Sequence, residues 1–150
     1  MGVPWYGYSY GCINAEDGNE LKTCEIKQIP FQGVGCSDAA GFEVAYADIM
    51  SMYENPKQWN VTITTPIRYD PYLKTPNFNY IDKNGALRQM WFDSPQSLVD
   101  KYSYAKSMGL RGVGPYRFDQ VDPIHAPKEF KAMFDALYVY KKSDIKEFLQ

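Results

Sequence analysis

Asp119 and Asp122 are the first residues to weigh for chemistry, because two nearby carboxylates can divide acid and base roles between them. No acid partner lies close in sequence to raise either pKa, so the pair reads as loop solvation and helix capping. Cys12, Cys24 and Cys36 stand too far apart for a Cys-x-x-Cys knuckle, and the lone His125 is remote, so no metal site is expected. A disulfide between two of the three is expected instead, which implies an oxidising compartment. The odd thiol is left free or paired with sequence outside the chain. Asn60-Val61-Thr62 is a glycosylation sequon, meaningful only in a secretory protein. There is no Gly-rich phosphate loop before a helix, no Gly-x-Ser-x-Gly elbow and no His-Glu-x-x-His, and no cofactor is expected. The remaining chemical signal is aromatic, with 13 Tyr, 8 Phe and 3 Trp. Such rings either pack a core or give flat apolar faces to polar ligands, as sugars require.

The elements that must position these groups centre on residues 91–119. Asp93 or Ser94 can cap a helix, Pro95 suits its first position, and Gln96 completes a capping box with Asp93. Leu98, Val99, Tyr102, Ala105 and Met108 recur at helical spacing as one buried stripe, and Gly109 suits the left-handed residue that ends the helix. Leu110–Gly114 then reads as a strand buried on both faces, and Met1–Tyr6 has the same look. Two such strands with a helix between them predict a parallel βαβ unit with a large insertion in its crossover. Tyr6-Gly7-Tyr8-Ser9-Tyr10 reads as an aromatic loop at the carboxyl end of the first strand, where sites form.

Residues 11–42 read as a long stapled loop holding all three cysteines. Tyr46, Ile49, Met50 and Tyr53 predict a short amphipathic helix over 45–54. Strands are expected near 61–69, 77–81 and 86–92, the last two joined by the hairpin signal Asp82-Lys83-Asn84-Gly85. A last helix starts at Pro127 with the stripe Phe130, Met133, Phe134, Leu137 and Tyr138, and Ser143 caps a short turn through Ile145 and Phe148.

With 150 residues the chain suits one domain. A net charge of -2 leaves no basic footprint for nucleic acid. No apolar run approaches the ~20 residues of a membrane-spanning helix, so neither nucleic acid nor membrane is an expected partner. No charged-then-apolar leader opens the chain, so no signal peptide is expected in it. The first strand begins at Met1 without a polar lead-in, and upstream sequence is expected to belong to the fold.

Several stretches together resemble glycoside hydrolase family 18 in its chitobiase/chitinase-like members. They are Gly2-Val3-Pro4-Trp5-Tyr6-Gly7-Tyr8, Pro30-Phe31, Cys36-Ser37-Asp38-Ala39-Ala40-Gly41, Gln89–Ser97 (Gln-Met-Trp-Phe-Asp-Ser-Pro-Gln-Ser) and Leu110-Arg111-Gly112-Val113-Gly114. The likeness runs in order from Met1 to about Asp122. It implies an α/β fold, the C-terminal portion of a (β/α)8 TIM barrel carrying an inserted α+β subdomain. Gly2–Tyr6 would be strand seven, Ser94–Met108 helix seven, Leu110–Tyr116 strand eight and Pro127–Tyr140 helix eight. Residues 1–150 would then be a partial catalytic domain, with 11–93 as the loop plus insertion. A complete barrel of this kind needs about 250 residues, so the missing N-terminal part of the barrel is an expected partner of this chain.

The resemblance also implies an activity. The family cleaves N-acetylglucosamine linkages of chitobiose cores or chitin oligosaccharides with retention; a Glu serves as acid and the substrate's acetamido oxygen attacks the anomeric carbon. Its Asp-x-x-Asp-x-Asp-x-Glu motif begins at no aspartate of this sequence, so the chain alone is expected to be inactive. What remains by resemblance is a sugar-binding wall of Trp5, Tyr6, Tyr8 and Tyr116. Tyr8 stands where the wider family often has Arg, and Tyr116 where it has the Trp under the reacting sugar. Pro115-Tyr116-Arg117-Phe118 departs from the Met-Trp-Asn-Ala type of sequence there. The full protein is expected to be lysosomal or secreted, glycosylated at Asn60, and to bind an N-acetylglucosamine-containing oligosaccharide. The alternative is a non-catalytic, lectin-like carbohydrate-binding module. Taken without the other barrel strands, the chain is expected to be poorly stable, with Val3, Trp5 and Val113 turned to water.

Overall fold

In the computed structural model, which describes residues 1–13, 22–35, 37 and 39–139, a parallel strand pair brackets an antiparallel sheet. In chain order the elements are β1 (Gly2–Pro4), β2 (Tyr6–Ile13), β3 (Glu25–Ile26), β4 (Gly41–Ala45), α1 (Tyr46–Glu54), β5 (Thr62–Ile63), β6 (Arg68–Asp70), β7 (Thr75–Ile81), β8 (Leu87–Phe92), α2 (Pro95–Ser107), β9 (Gly114–Tyr116) and α3 (Pro127–Asp135). Single 3₁₀ turns follow at Phe118–Gln120 and Ala136–Val139. The turn expected from Ser143, and the thiol of Cys36, lie outside the described residues.

The expected parallel pair is present: β1 lies beside β9, with Gly2 opposite Gly114 and Pro4 opposite Tyr116. Its crossover contains the whole antiparallel unit and α2, since parallel strands cannot be joined by a tight turn. The second strand is shorter than the expected Leu110–Tyr116. Leu110 is exposed, and the pairing reaches residue 112 only through the Met1 amino group, which donates to the Gly112 carbonyl at 2.8 Å. Nor is Leu110–Gly114 buried on both faces: Leu110 and Arg111 are exposed, and Gly112, Val113 and Gly114 are only partly buried.

α2 starts as a capped helix, with the box one residue later than the sequence pattern suggested. Ser94 is the cap: its hydroxyl accepts from the Ser97 N–H, and the Ser94 N–H donates back to the Ser97 hydroxyl. Asp93 instead is 4% exposed and takes the Lys101 ammonium at 2.5 Å and the Ser97 hydroxyl at 2.8 Å. Leu98, Tyr102 and Ala105 form the buried stripe. Val99 sits on its flank at 36% exposure, and Met108 falls past the last helical residue, so both leave the expected core. Gly109 has φ +68, as an L residue rarely would. In α3, Met133 is buried and Phe130 and Phe134 pack against the core, as does Leu137 just beyond it. The 3₁₀ turn that follows brings Ala136 inward and leaves Tyr138 outside.

The antiparallel sheet has β2, β8 and β7 at its centre; β3 and β4 share one edge of β2, and β5 and β6 share the far edge of β7. The hairpin between β7 and β8 forms as expected. Asp82 accepts from the Asn84 and Ala86 N–H groups, and Gly85 adopts φ +80. One face of the sheet buries Phe78, Met90 and Phe92 against Tyr46, Ile49 and Met52 of α1. Burial of side chains of this size, each worth about 1.5–3 kcal/mol, fixes the register, because a one-residue slip would turn them all to water. Met50 and Tyr53 of the expected stripe lie at its margin.

Two further expectations are corrected. Residues 6–10 are not a loop but the first half of β2. Tyr6–Tyr10 pair with β4 and Gly7–Gly11 with β8, so both edges of the backbone are satisfied. Val3 and Trp5 do not face water either, being 4% and 0% exposed within the cluster that contains Leu98, Tyr102 and Met133. Val113 is only partly buried.

Candidate functional site

A strand alternates its side chains between faces. In β2 this separates Tyr6, Tyr8 and Tyr10, which are half-buried, from Gly7 and Ser9, which are buried. Gly7 has no room for more: a Cβ there would lie 2.4 Å from the Trp91 carbonyl oxygen and 2.7 Å from Cδ1 of Ile49. On the same buried face the Ser9 hydroxyl is 2.6 Å from that of Tyr80 and accepts from Nε of Arg88 at 2.8 Å. The apolar load is thus carried behind the sheet, and the tyrosines are presented in front.

The front face carries a row of rings. Tyr6 meets Tyr116 with centroids 6.3 Å apart, Tyr8 follows at 6.0 Å, and Tyr10 stacks on Tyr8 at 5.9 Å with planes 21° apart. Tyr8 lies opposite Trp91 and Tyr10 opposite Gln89. Beside these rings, on the same face, runs a largely buried amide network. The Trp91 indole N–H donates to Oε1 of Gln89 at 2.8 Å, and Nε2 of Gln89 donates to Oδ1 of Asn79 at 2.9 Å and to the Lys22 carbonyl at 3.1 Å. Arg68 donates to Oδ1 of both Asn77 and Asn79. A satisfied polar network of this kind holds its members to one geometry, since an unmade bond here would cost the full desolvation of the group.

At the Tyr116 end stands a charged pair absent from the sequence reading. Arg117 has φ +53 and places its guanidinium 2.7 Å from Glu43 of β4 and 3.6 Å from Asp119. Burial pushes the Tyr6 phenol above its ordinary pKa, helped by Tyr8, Glu43 and Tyr116, while Arg117 opposes it. Tyr6 therefore stays a neutral donor and acceptor near neutral pH. Tyr8 itself brings no guanidinium to its position; Arg117 lies at the Tyr116 end, and its partner Glu43 is opposite Tyr8 on β4. The signal that could have revealed this was the mixed-charge run Arg117-Phe118-Asp119 directly after a strand end.

The other sequence candidates separate. Trp5 is enclosed in the core and does not reach the front face; its indole N–H donates to the Tyr102 hydroxyl at 3.2 Å, and its ring meets Phe134 edge-on at 4.8 Å. The one-residue break between β1 and β2 is what turns it inward, away from Tyr6. Asp119 and Asp122 serve different partners. Asp122 accepts from the Ile124 and His125 N–H groups and from the His125 ring, and these bonds, the His125 backbone first, hold its carboxyl below the usual range. Cys12 and Cys24 form a disulfide that closes β3 against the end of β2. Asn60 is exposed, in a turn with φ +51.

The arrangement can bind a flat, hydroxyl-rich ligand, with rings for its apolar faces and a carboxylate and guanidinium for its edges. No family model matches the chain. Individual proteins do. It is 39% identical to di-N-acetylchitobiase of Mus musculus over 140 residues, covering 91% of this chain and 36% of the mouse protein. It is 40% identical to the Homo sapiens protein of the same name over 122 residues, covering 81% of this chain and 29% of the human one. In fold it is similar to a variant of the GH18 chitinase from Cycas revoluta solved with (GlcNAc)4, with a TM-score of 0.56 and 18% identity over 91% of this chain and 32% of that one. By sequence the chain is a relative of a partial, C-terminal region of the di-N-acetylchitobiases, and it spans about a third of the length of those it matches.

Proposed function

We propose that this chain is the glycan-facing wall of a retaining hydrolase of glycoside hydrolase family 18 that acts on N-acetylglucosamine linkages of chitobiose cores or chitin oligosaccharides. The row Tyr116–Tyr6–Tyr8 on one sheet face, at the end of the parallel pair, carries the reading. In it β1 and β9 take the places of barrel strands seven and eight, α2 and α3 are their helices, and residues 11–93 are the loop and α+β insertion. The remainder of the barrel is the partner that brings the proton donor. Tyr6 and Tyr116 bracket the reacting sugar, and Arg117 with Glu43 engages its hydroxyls. The disulfide and the exposed Asn60 support a lysosomal or secreted glycoprotein.

Within this chain the same surface binds without cleaving, as a lectin-like module would, because no aspartate begins the Asp-x-x-Asp-x-Asp-x-Glu pattern. The test is direct. The 150-residue chain is titrated with chitobiose and assayed on a fluorogenic chitobioside. Saturable binding without turnover is expected; turnover would overturn the assignment of the acid to other sequence, and no binding would overturn the wall itself.

A further inference from the structure

Beyond the rings nearest β9, the front face ends in a cavity of about 380 Å³ lined by Tyr10, Cys24, Ile26, Gln89 and Trp91. Sites for small molecules run from about 300 Å³ upward, and this one is the size of a single sugar ring with its substituent rather than of a chain. We propose that it is a distal subsite, taking one N-acetylhexosamine residue of an oligosaccharide whose nearer residues lie on Tyr6 and Tyr116. The inference rests on the proposed function and deepens it, by naming a length of substrate.

Three observations carry it. The ring row is continuous, Tyr116 to Tyr6 to Tyr8 to Tyr10, with neighbouring centroids 5.9–6.3 Å apart, so an extended glycan on the first rings is led to the last. Trp91 presents its ring and not its N–H, because Oε1 of Gln89 takes that N–H at 2.8 Å while Nε2 of the same amide is held by Oδ1 of the buried Asn79 and by the Lys22 carbonyl. A half-buried indole held this way keeps a flat apolar surface ready for the C–H face of a pyranose without ordering cost on binding. Finally, the outer wall is built by the segment that the Cys12–Cys24 disulfide ties to β2, with Cys24 itself in the lining. The disulfide is therefore a positioning device for the subsite. The larger cavity near Phe42 and Trp59 lies beyond Val44, Tyr80 and Met90 on the other face of the sheet and is not continuous with the row.

The experiment compares (GlcNAc)2 with (GlcNAc)4 binding to the 150-residue chain and three variants, each first checked for native circular dichroism. The parent chain binds the tetrasaccharide about tenfold more tightly, a difference one well-stacked ring can supply. Trp91→Ala, and Tyr10→Ala independently, abolish that advantage while disaccharide binding stays within about twofold. The Cys12→Ser/Cys24→Ser double variant does the same. If the parent chain binds both sugars and Trp91→Ala and Tyr10→Ala leave the length preference intact, or lower both affinities equally, the distal subsite is overturned and the carbohydrate reading stands. If neither sugar binds the parent chain, the carbohydrate reading falls and the subsite with it.

Discussion

Arg117 and Glu43 are 74 residues apart in sequence and 2.7 Å apart in space, and this pair ties the end of β9 to the edge strand β4. Arg117 reaches it from a positive-φ backbone, which costs an L residue about 1–2 kcal/mol. The pair is partly exposed and is worth at most about 1 kcal/mol to stability. Its value is positional, since it holds a carboxylate and a guanidinium beside Tyr6 and Tyr116.

Arg117→Gly and Arg117→Ala both lose the pair, but only glycine relieves the backbone. Arg117→Gly is therefore expected to be more stable than Arg117→Ala by about 1 kcal/mol in urea unfolding. Equal stabilities would mean that the backbone conformation carries no cost. Both variants are expected to weaken chitobiose binding.

Tyr116 is 61% exposed and borders Tyr6, so it contributes little to the core. Tyr116→Ala is expected to change stability by less than about 0.5 kcal/mol and to lower kcat/KM for chitobiose-type substrates by about tenfold in an enzyme with the rest of the barrel. Tyr116→Trp is expected to be neutral or to raise turnover. Unchanged kcat/KM for the alanine variant would remove Tyr116 from the site.

Trp5 belongs to the core, and its substitution should read as stability rather than binding. Trp5→Ala is expected to cost about 3–5 kcal/mol by thermal or urea unfolding. Tyr102→Phe removes the acceptor of the indole N–H and is expected to cost about 1–3 kcal/mol. A Trp5 variant that folds normally and loses sugar affinity alone would contradict the burial seen here.

Gly7 sits where β2 is closed in by β8 and by Ile49 of α1. Its added Cβ would meet backbone at 2.4 Å, which no rotamer change can relieve. Gly7→Ala is expected to destabilise by about 1–3 kcal/mol or more, with the whole tyrosine row displaced. A native-like melting temperature would show that β8 can move away at little cost.

Tyr46 provides a pH handle. Burial, with Glu129 and Glu54 adding repulsion, raises its phenol from 10.0 to about 12. Below about pH 10 both folded and unfolded chains keep the proton and its contribution is fully present. Above that the unfolded chain ionises first, so stability is lost as the pH rises toward 12. Tyr46→Phe is expected to flatten this alkaline decline, and an unchanged slope between pH 10 and 12 would assign it to other groups.

By itself the sequence determined the features written in neighbouring residues: the Asp82–Gly85 hairpin, the Ser94-Pro95 start and Gly109 end of α2, and the pairing of two short apolar strands across a long crossover. Turn chemistry and caps act within a few residues, so they survive in any tertiary context. It also singled out Tyr6, Tyr8 and Tyr10, although it placed them on a loop; the alternation of Tyr with Gly and Ser at Tyr6–Tyr10 is a strand's period, and only the edges of β4 and β8 decide that a strand forms there. Tertiary structure alone decided the rest. Trp5 and Tyr6 are adjacent in sequence, yet a one-residue break between two sheets sends one into the core and the other to the face. Arg117 meets Glu43 across 74 residues, and strand register sets Trp91 and Gln89 opposite Tyr8 and Tyr10, across separations that no local pattern records. Which cysteines pair was likewise settled by the meeting of β2 and β3, because spacing alone left every pairing open.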